Sequence, residues 1–231
     1  MMTCLAVRSA LVACVLLVMG TMPPNAAALT LSFFNITGNN PLAALAGEAQ
    51  LSVEVTAFAS NQVQFQFFNI GTVASSIADI YFDDTSVLLP GGPATIINGS
   101  GVSFSQGAAP PNLPGGNTVS PAFSVTTGFD YDSDRPTLDN GVGLGETLSI
   151  ILFLQTGKTF ADVESDLANG NLRLGMHVQG FALGGGSEAF INNPFRPDPP
   201  PPVVPEPSTL LLLGSGLGTI FGVARRRFRR Q

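Results

Sequence analysis

Residues 51–57 read Leu-Ser-Val-Glu-Val-Thr-Ala, with apolar and polar side chains alternating, and Val63-Gln64-Phe65-Gln66-Phe67 repeats the pattern. A period of two sends successive side chains to opposite faces of an extended chain, so each stretch predicts a strand with one buried face. Residues 29–36 predict a first strand. Shorter ones at 77–82, 86–89, 95–97 and 102–105 are set apart by Gly and Pro. Residues 119–126 predict another. The nearly all-apolar stretch 147–154, with Ile150-Ile151-Leu152-Phe153-Leu154 at its centre, predicts the most buried strand. Residues 172–182 and a segment ending at Ile191 complete the set. Pro41 and Gly47 confine residues 42–46 to a loop or short insertion. One short helix is expected at 159–168, where Thr159 can cap, Asp162 and Glu164 suit the first turns and Gly170 closes. Residues 108–116 are too rich in proline for regular structure and predict an ordered connection across one end of the sheets. The fold class is therefore all-β: an antiparallel β-sandwich, jelly-roll or immunoglobulin-like, over residues 29–193.

Both ends depart from this pattern. Arg8 precedes an apolar stretch at 11–19, and Ala26-Ala27-Ala28 supplies small residues at a cleavage point, which predicts a secretory signal peptide at 1–28 cut after Ala28, with Ala26 and Ala28 at the cleavage positions. Leu11-Val12-Ala13-Cys14 resembles a lipoprotein box, but the apolar stretch continues past Cys14. Cys4 and Cys14 are the two cysteines and both fall in the signal, so the exported protein is expected to hold no disulfide.

At the other end a proline-rich linker, 194–204, predicts a stiff spacer. Pro205-Glu206-Pro207 follows, extended because proline fixes φ and disfavours helix in the residue before it. Residues 208–224 carry neither charge nor proline. As a helix they would span about 25 Å, the short end of what crosses a bilayer, and their four glycines are better tolerated in lipid than in water. Arg225, Arg226, Arg227, Arg229 and Arg230 come next and act as a stop-transfer cluster that holds the C-terminus in the cytoplasm. A nucleic-acid-binding arm would have no need of the uncharged run beside it.

This ordered triplet, apolar run and arginine cluster resembles the PEP-CTERM sorting signal of bacterial surface proteins. The resemblance implies that Pro205, Glu206 and Pro207 are recognised by exosortase, a membrane protease and transpeptidase, and that residues 205–231 are removed. It further implies a transient inner-membrane anchor after passage through the secretion translocon and signal peptidase. The destination is then the cell surface or extracellular matrix of a Gram-negative-type bacterium. Within the body, Ala74-Ser75-Ser76-Ile77-Ala78-Asp79-Ile80-Tyr81-Phe82-Asp83-Asp84 and His177-Val178-Gln179-Gly180-Phe181 resemble an uncharacterised domain of other exosortase-dependent surface proteins, which implies an address and no chemistry.

Charge narrows the partners. Residues 29–204 hold four basic residues, Arg135, Lys158, Arg173 and Arg196, against fifteen acidic ones, which argues against nucleic acid. Asp130, Asp132 and Asp134 alternate with Tyr131 and Ser133, and Asp139 follows. Such a run predicts either a solvated acidic loop or a calcium site, although Arg135 and Gly141 stand where an EF-hand needs glycine and glutamate. Asp79, Asp83 and Asp84 form a second acidic group, with Asp83-Asp84 expected to cap a turn. His177, the single histidine, predicts a hydrogen-bonded structural residue, since zinc would need further ligands that are absent. Asn35-Ile36-Thr37 and Asn98-Gly99-Ser100 fit the glycosylation sequon.

No cofactor is expected beyond the calcium. The expectation is a non-enzymatic surface or matrix protein associated with exopolysaccharide or biofilm. One alternative is a calcium-dependent polysaccharide-binding, adhesive or ice-binding module, although no Thr-x-Thr ladder supports ice. The other is a carbohydrate-active enzyme, which needs only two carboxylates but finds no tryptophan and only Tyr81 and Tyr131 beside 17 phenylalanines.

Overall fold

The computed structural model describes residues 28–192. The expected signal segment up to Ala27, the spacer, the Pro205-Glu206-Pro207 triplet, the apolar run and the arginine cluster lie outside them. In chain order the elements are β1 (Ala28–Ser32), β2 (Phe34–Asn35), α1 (Pro41–Gln50), β3 (Leu51–Ala59), β4 (Gln62–Asn69), β5 (Ser76–Asp84), β6 (Thr95–Asn98) and β7 (Phe104–Gln106). A 3-10 turn (Gly116–Thr118) then precedes β8 (Asp130–Ser133), α2 (Thr137–Asn140), β9 (Thr147–Phe153), α3 (Phe160–Asn169), β10 (Leu172–Gln179) and β11 (Ser187–Ile191). Among the described residues no helix is long and apolar enough to cross a membrane.

The strands form two antiparallel sheets, ordered β1-β3-β4-β9-β6 and β2-β11-β10-β5-β8-β7. Their inner faces share one core. Val53, Val55, Phe65, Phe67, Leu148 and Ile150 come from the first sheet and Ile80, Phe82, Tyr131, Leu174 and Met176 from the second. Phe82 is its pivot: its ring meets Phe65 edge-on at 5.0 Å, Phe67 at 6.5 Å and Tyr131 at 6.0 Å, offsets that suit the ring quadrupoles. The alternating stretches at 51–57 and 63–67 are thus strands with one face in the core. Strand β1 starts at Ala28, so cleavage there would leave Leu29–Ser32 paired with Val55–Ser52 of β3. Its chain then switches sheets at buried Phe33 to become β2, so the single strand expected at 29–36 is two.

Several expectations are corrected. Residues 42–46 belong to a ten-residue helix, α1, one of three described helices where a single one was expected. Pro41 occupies its first turn, where no amide partner is lost, and the Asn40 side chain accepts from the Leu42 and Ala43 amides. Gly47 is in that helix because a Cβ there would lie 2.2 Å from the Phe190 ring. Residues 86–89 form a turn held by the Asp84 carboxylate, which accepts from the Leu89 amide at 2.7 Å and the Ser86 hydroxyl at 3.0 Å. Residues 119–126 are irregular, and residues 130–133 are a strand rather than a loop. The most buried strand is β5, with all nine residues buried, because both of its faces are covered. Helix α3 has the predicted form: the Asp162 carboxylate accepts from the Thr159 amide and hydroxyl, and Gly170 closes it at φ 73°.

Replacing Phe82 by alanine removes a ring that meets Phe65 and Phe67 of the facing sheet and Tyr131 of β8. The expected loss is about 3–5 kcal/mol of unfolding free energy, read as a lower denaturant midpoint with the slope unchanged.

Candidate functional site

Strands β5, β10 and β8 lie side by side, and their outward side chains fall in register. One row is Asp132, Asp79 and His177; the next is Asp130, Tyr81 and Gly175; the third pairs Asp83 with Arg173. In most sandwiches such a face meets water. Here residues 108–125 lie over it, and Leu113 and Phe123 pack with Tyr81, Ala189 and Ile191 in a second small core. Gly175 permits this seat, since a Cβ there would sit 2.7 Å from Leu113 and 3.1 Å from Phe123. The proline-rich connection therefore covers a sheet face rather than bridging one end.

Covering the face strands its charges, and each finds a partner. Arg173 bonds the Asp83 carboxylate, donates to the Pro121 and Ala122 carbonyls at 2.7 and 2.6 Å, and stacks 5.3 Å from the Phe123 centroid. The Ser124 amide completes Asp83 at 3.1 Å. This ion pair staples 121–124 to the sheet. Asp84, one residue on, faces the other way and holds the 86–89 turn, so the expected turn cap is Asp84 alone.

His177 Nδ1 lies 2.8 Å from Asp79 Oδ2, and Gln179 Nε2 is 3.4 Å from the same ring nitrogen. Asp79 is 1% exposed, and its Oδ1 has no protein donor. Across the strand pair, Asp132 is pushed up to about 6, first by burial, then by the charge of Asp79 and a hydrogen bond with it; Asp134 adds to the rise and Arg135 opposes it. Asp132 therefore keeps its proton above the usual carboxylate range.

The four acids of the expected calcium loop are not gathered. Asp130 and Asp132 alternate along β8; Asp130 accepts from the Ala108 amide, Asp134 accepts from the Ser103 and Ser105 hydroxyls at 2.6 and 2.9 Å, and Asp139 lies in α2. An extended strand separates same-face residues by about 6.8 Å, which spreads oxygens that a cation needs convergent. Among the described residues no group of three or more His, Cys, Asp or Glu side chains could hold a metal ion.

Glu188, absent from the sequence reading, is a further buried acid. Burial alone would raise it, but donors from Thr37, Asn35 and the Asn40 and Asn39 amides outweigh that and hold it below its ordinary range. It ties residues 35–40 to β11. Because Asn35 Nδ2 is 2.9 Å from that carboxylate, its sequon amide is already engaged.

The remaining prediction from the chain's ends concerns residues beyond this domain. Residues 203–230 match the PEP-CTERM protein-sorting motif. The chain carries a PEP-CTERM sorting signal. No curated protein and no solved structure matches it. A PEP-CTERM signal marks an exosortase-targeted surface protein, so the assignment rests on the tail, while the body of this PEP-CTERM protein must be judged on its own geometry.

Two measurements test that geometry. Arg173→Ala leaves Asp83 buried and unpaired and is expected to lose about 3–5 kcal/mol; Asp83→Asn with Arg173→Met should recover part of it in a denaturant titration. The raised Asp132 stabilises the fold only while protonated, so its contribution is complete below the unfolded value near 4 and is lost as pH rises through about 6. Thermal melts should show the wild type weakening over that window relative to Asp132→Asn.

Proposed function

We propose that residues 29–193 are the passenger of the PEP-CTERM signal: a surface or matrix protein without catalytic activity. The chain crosses by the secretion translocon, loses residues 1–28 to signal peptidase, and is held in the inner membrane by 208–224 with Arg225, Arg226, Arg227, Arg229 and Arg230 on the cytoplasmic side. Exosortase then recognises Pro205, Glu206 and Pro207 and removes the tail, leaving the body outside the cell among exopolysaccharide.

The match at 203–230 carries this reading. Its non-catalytic part is supported by the ionisable row: Asp79 is buried and His177 is 8% exposed, and both engage groups that hold the sheet together. A general acid or base must reach its substrate, and groups so enclosed serve packing better than turnover.

Mass spectrometry of protein collected outside the producing cells should find peptides from residues 29–193 and none from 208–231. In an exosortase-deficient strain the full tail should persist in the membrane fraction. Tail peptides on the extracellular form, or full-length protein in the cytosol, would overturn the scheme.

A further inference from the structure

The outward face of the first sheet has the opposite character to the covered one. Its central positions follow the register: Thr56, Gln64, Ile151 and Thr95 make one row and Glu54, Gln66, Ser149 and Ile97 the next. Glu54 is the one charged residue in the five strands, whereas β5 and β8 alone hold five aspartates. Gln64 reaches Ser149 only at 3.5 Å, too long for a strong bond, so the amide keeps its donors and acceptor.

One end of this face is apolar. Phe153, 48% exposed, lies opposite Gln62 and borders a cleft of about 250 Å³ lined also by Pro90, Gly91, Gly92 and Pro93. The glycines leave the cleft floor open, since nothing lies within 4 Å of a Cβ placed on Gly91.

We propose that this face binds a neutral polysaccharide, with the half-buried Gln64, Gln66 and Thr56 hydrogen-bonding its hydroxyls and Phe153 stacking on a sugar ring at the cleft. The inference rests on the surface-protein reading and names the class of partner. Primary amides and hydroxyls both donate and accept, which matches sugar hydroxyls whatever their orientation. Charge decides against the rivals: an anionic polymer meets Glu54 on an already acidic body, and a cationic one meets a single carboxylate. A protein partner would have to desolvate the amides with little apolar area gained.

The test is affinity electrophoresis of the full-length protein, purified in detergent, in gels containing dextran, hydroxyethylcellulose, galactomannan or alginate. Retardation is expected in at least one neutral gel and not in alginate. Phe153→Ala, and separately Gln64→Ala with Gln66→Ala, should weaken binding at least tenfold, while Leu138→Ala, exposed elsewhere, leaves it unchanged. Migration unaltered in all three neutral gels, retardation by alginate alone, or retention unaffected by these variants would overturn the proposal. So would a dimer, seen by light scattering, that Phe153→Ala dissolves without any glycan effect, since the face would then belong to a second copy. Tail removal is read separately by mass spectrometry, so a sorted protein that ignores glycans sinks this inference alone.

Discussion

Strands β5 and β10 are covered on both faces, and that double burial governs the rest of the molecule. The inner face is served by apolar packing around Phe82. The outer face brings Asp79, Asp83, Arg173 and His177 out of water, and a lone buried charge there would be untenable. Antiparallel register resolves this by setting acid against base, Asp83 with Arg173 and Asp79 with His177. Asp79 faces a further acid, Asp132, which burial and the Asp79 charge push up to about 6.

The covering segment depends on the same arrangement. Residues 108–125 have few backbone bonds to the sheet and are held by Arg173 reaching two of their carbonyls, by Tyr81 donating to the Pro110 carbonyl at 2.8 Å, and by Leu113 and Phe123 over Gly175. Charge divides between the sheets: β5 and β8 of the sealed one hold aspartates at 79, 83, 84, 130 and 132, whereas Glu54 is the charged residue in the strands of the other.

The sequence made the one-faced strands legible because their period of two is undisturbed: 51–57 and 63–67 fold as read, and so does the Thr159-capped helix. It misled where tertiary contacts override local signals. Gly47 looks like a helix stop but is where a helix yields to Phe190, and Pro41 looks like a barrier but starts the helix. Leu88 and Leu89 are both buried, so their apolar run marks a plug at the sandwich end rather than a strand. The alternation Asp130-Tyr131-Asp132-Ser133 had the period of a strand and was read as a loop because its outward residues are acids. The ionisable row was also available: acids at 79 and 83 on one strand and bases at 173 and 177 on another share a parity. What the sequence could not supply was the register that brings Asp79 to His177 and Asp83 to Arg173.

Tail and body use charge for different ends, and the difference explains how one chain serves both. On the proposed route Arg225, Arg226, Arg227, Arg229 and Arg230 act as a group beside an apolar run, where they would set orientation. In the body a comparable cluster would compete for that orientation signal and would attract anionic polymers, and its few cations are instead committed locally. Arg173 is closed into an ion pair, and Lys158 lies 3.9 Å from Asp162 at the start of α3. With so few free cations among the described residues, the folded domain presents carboxylates, amides and hydroxyls to its surroundings.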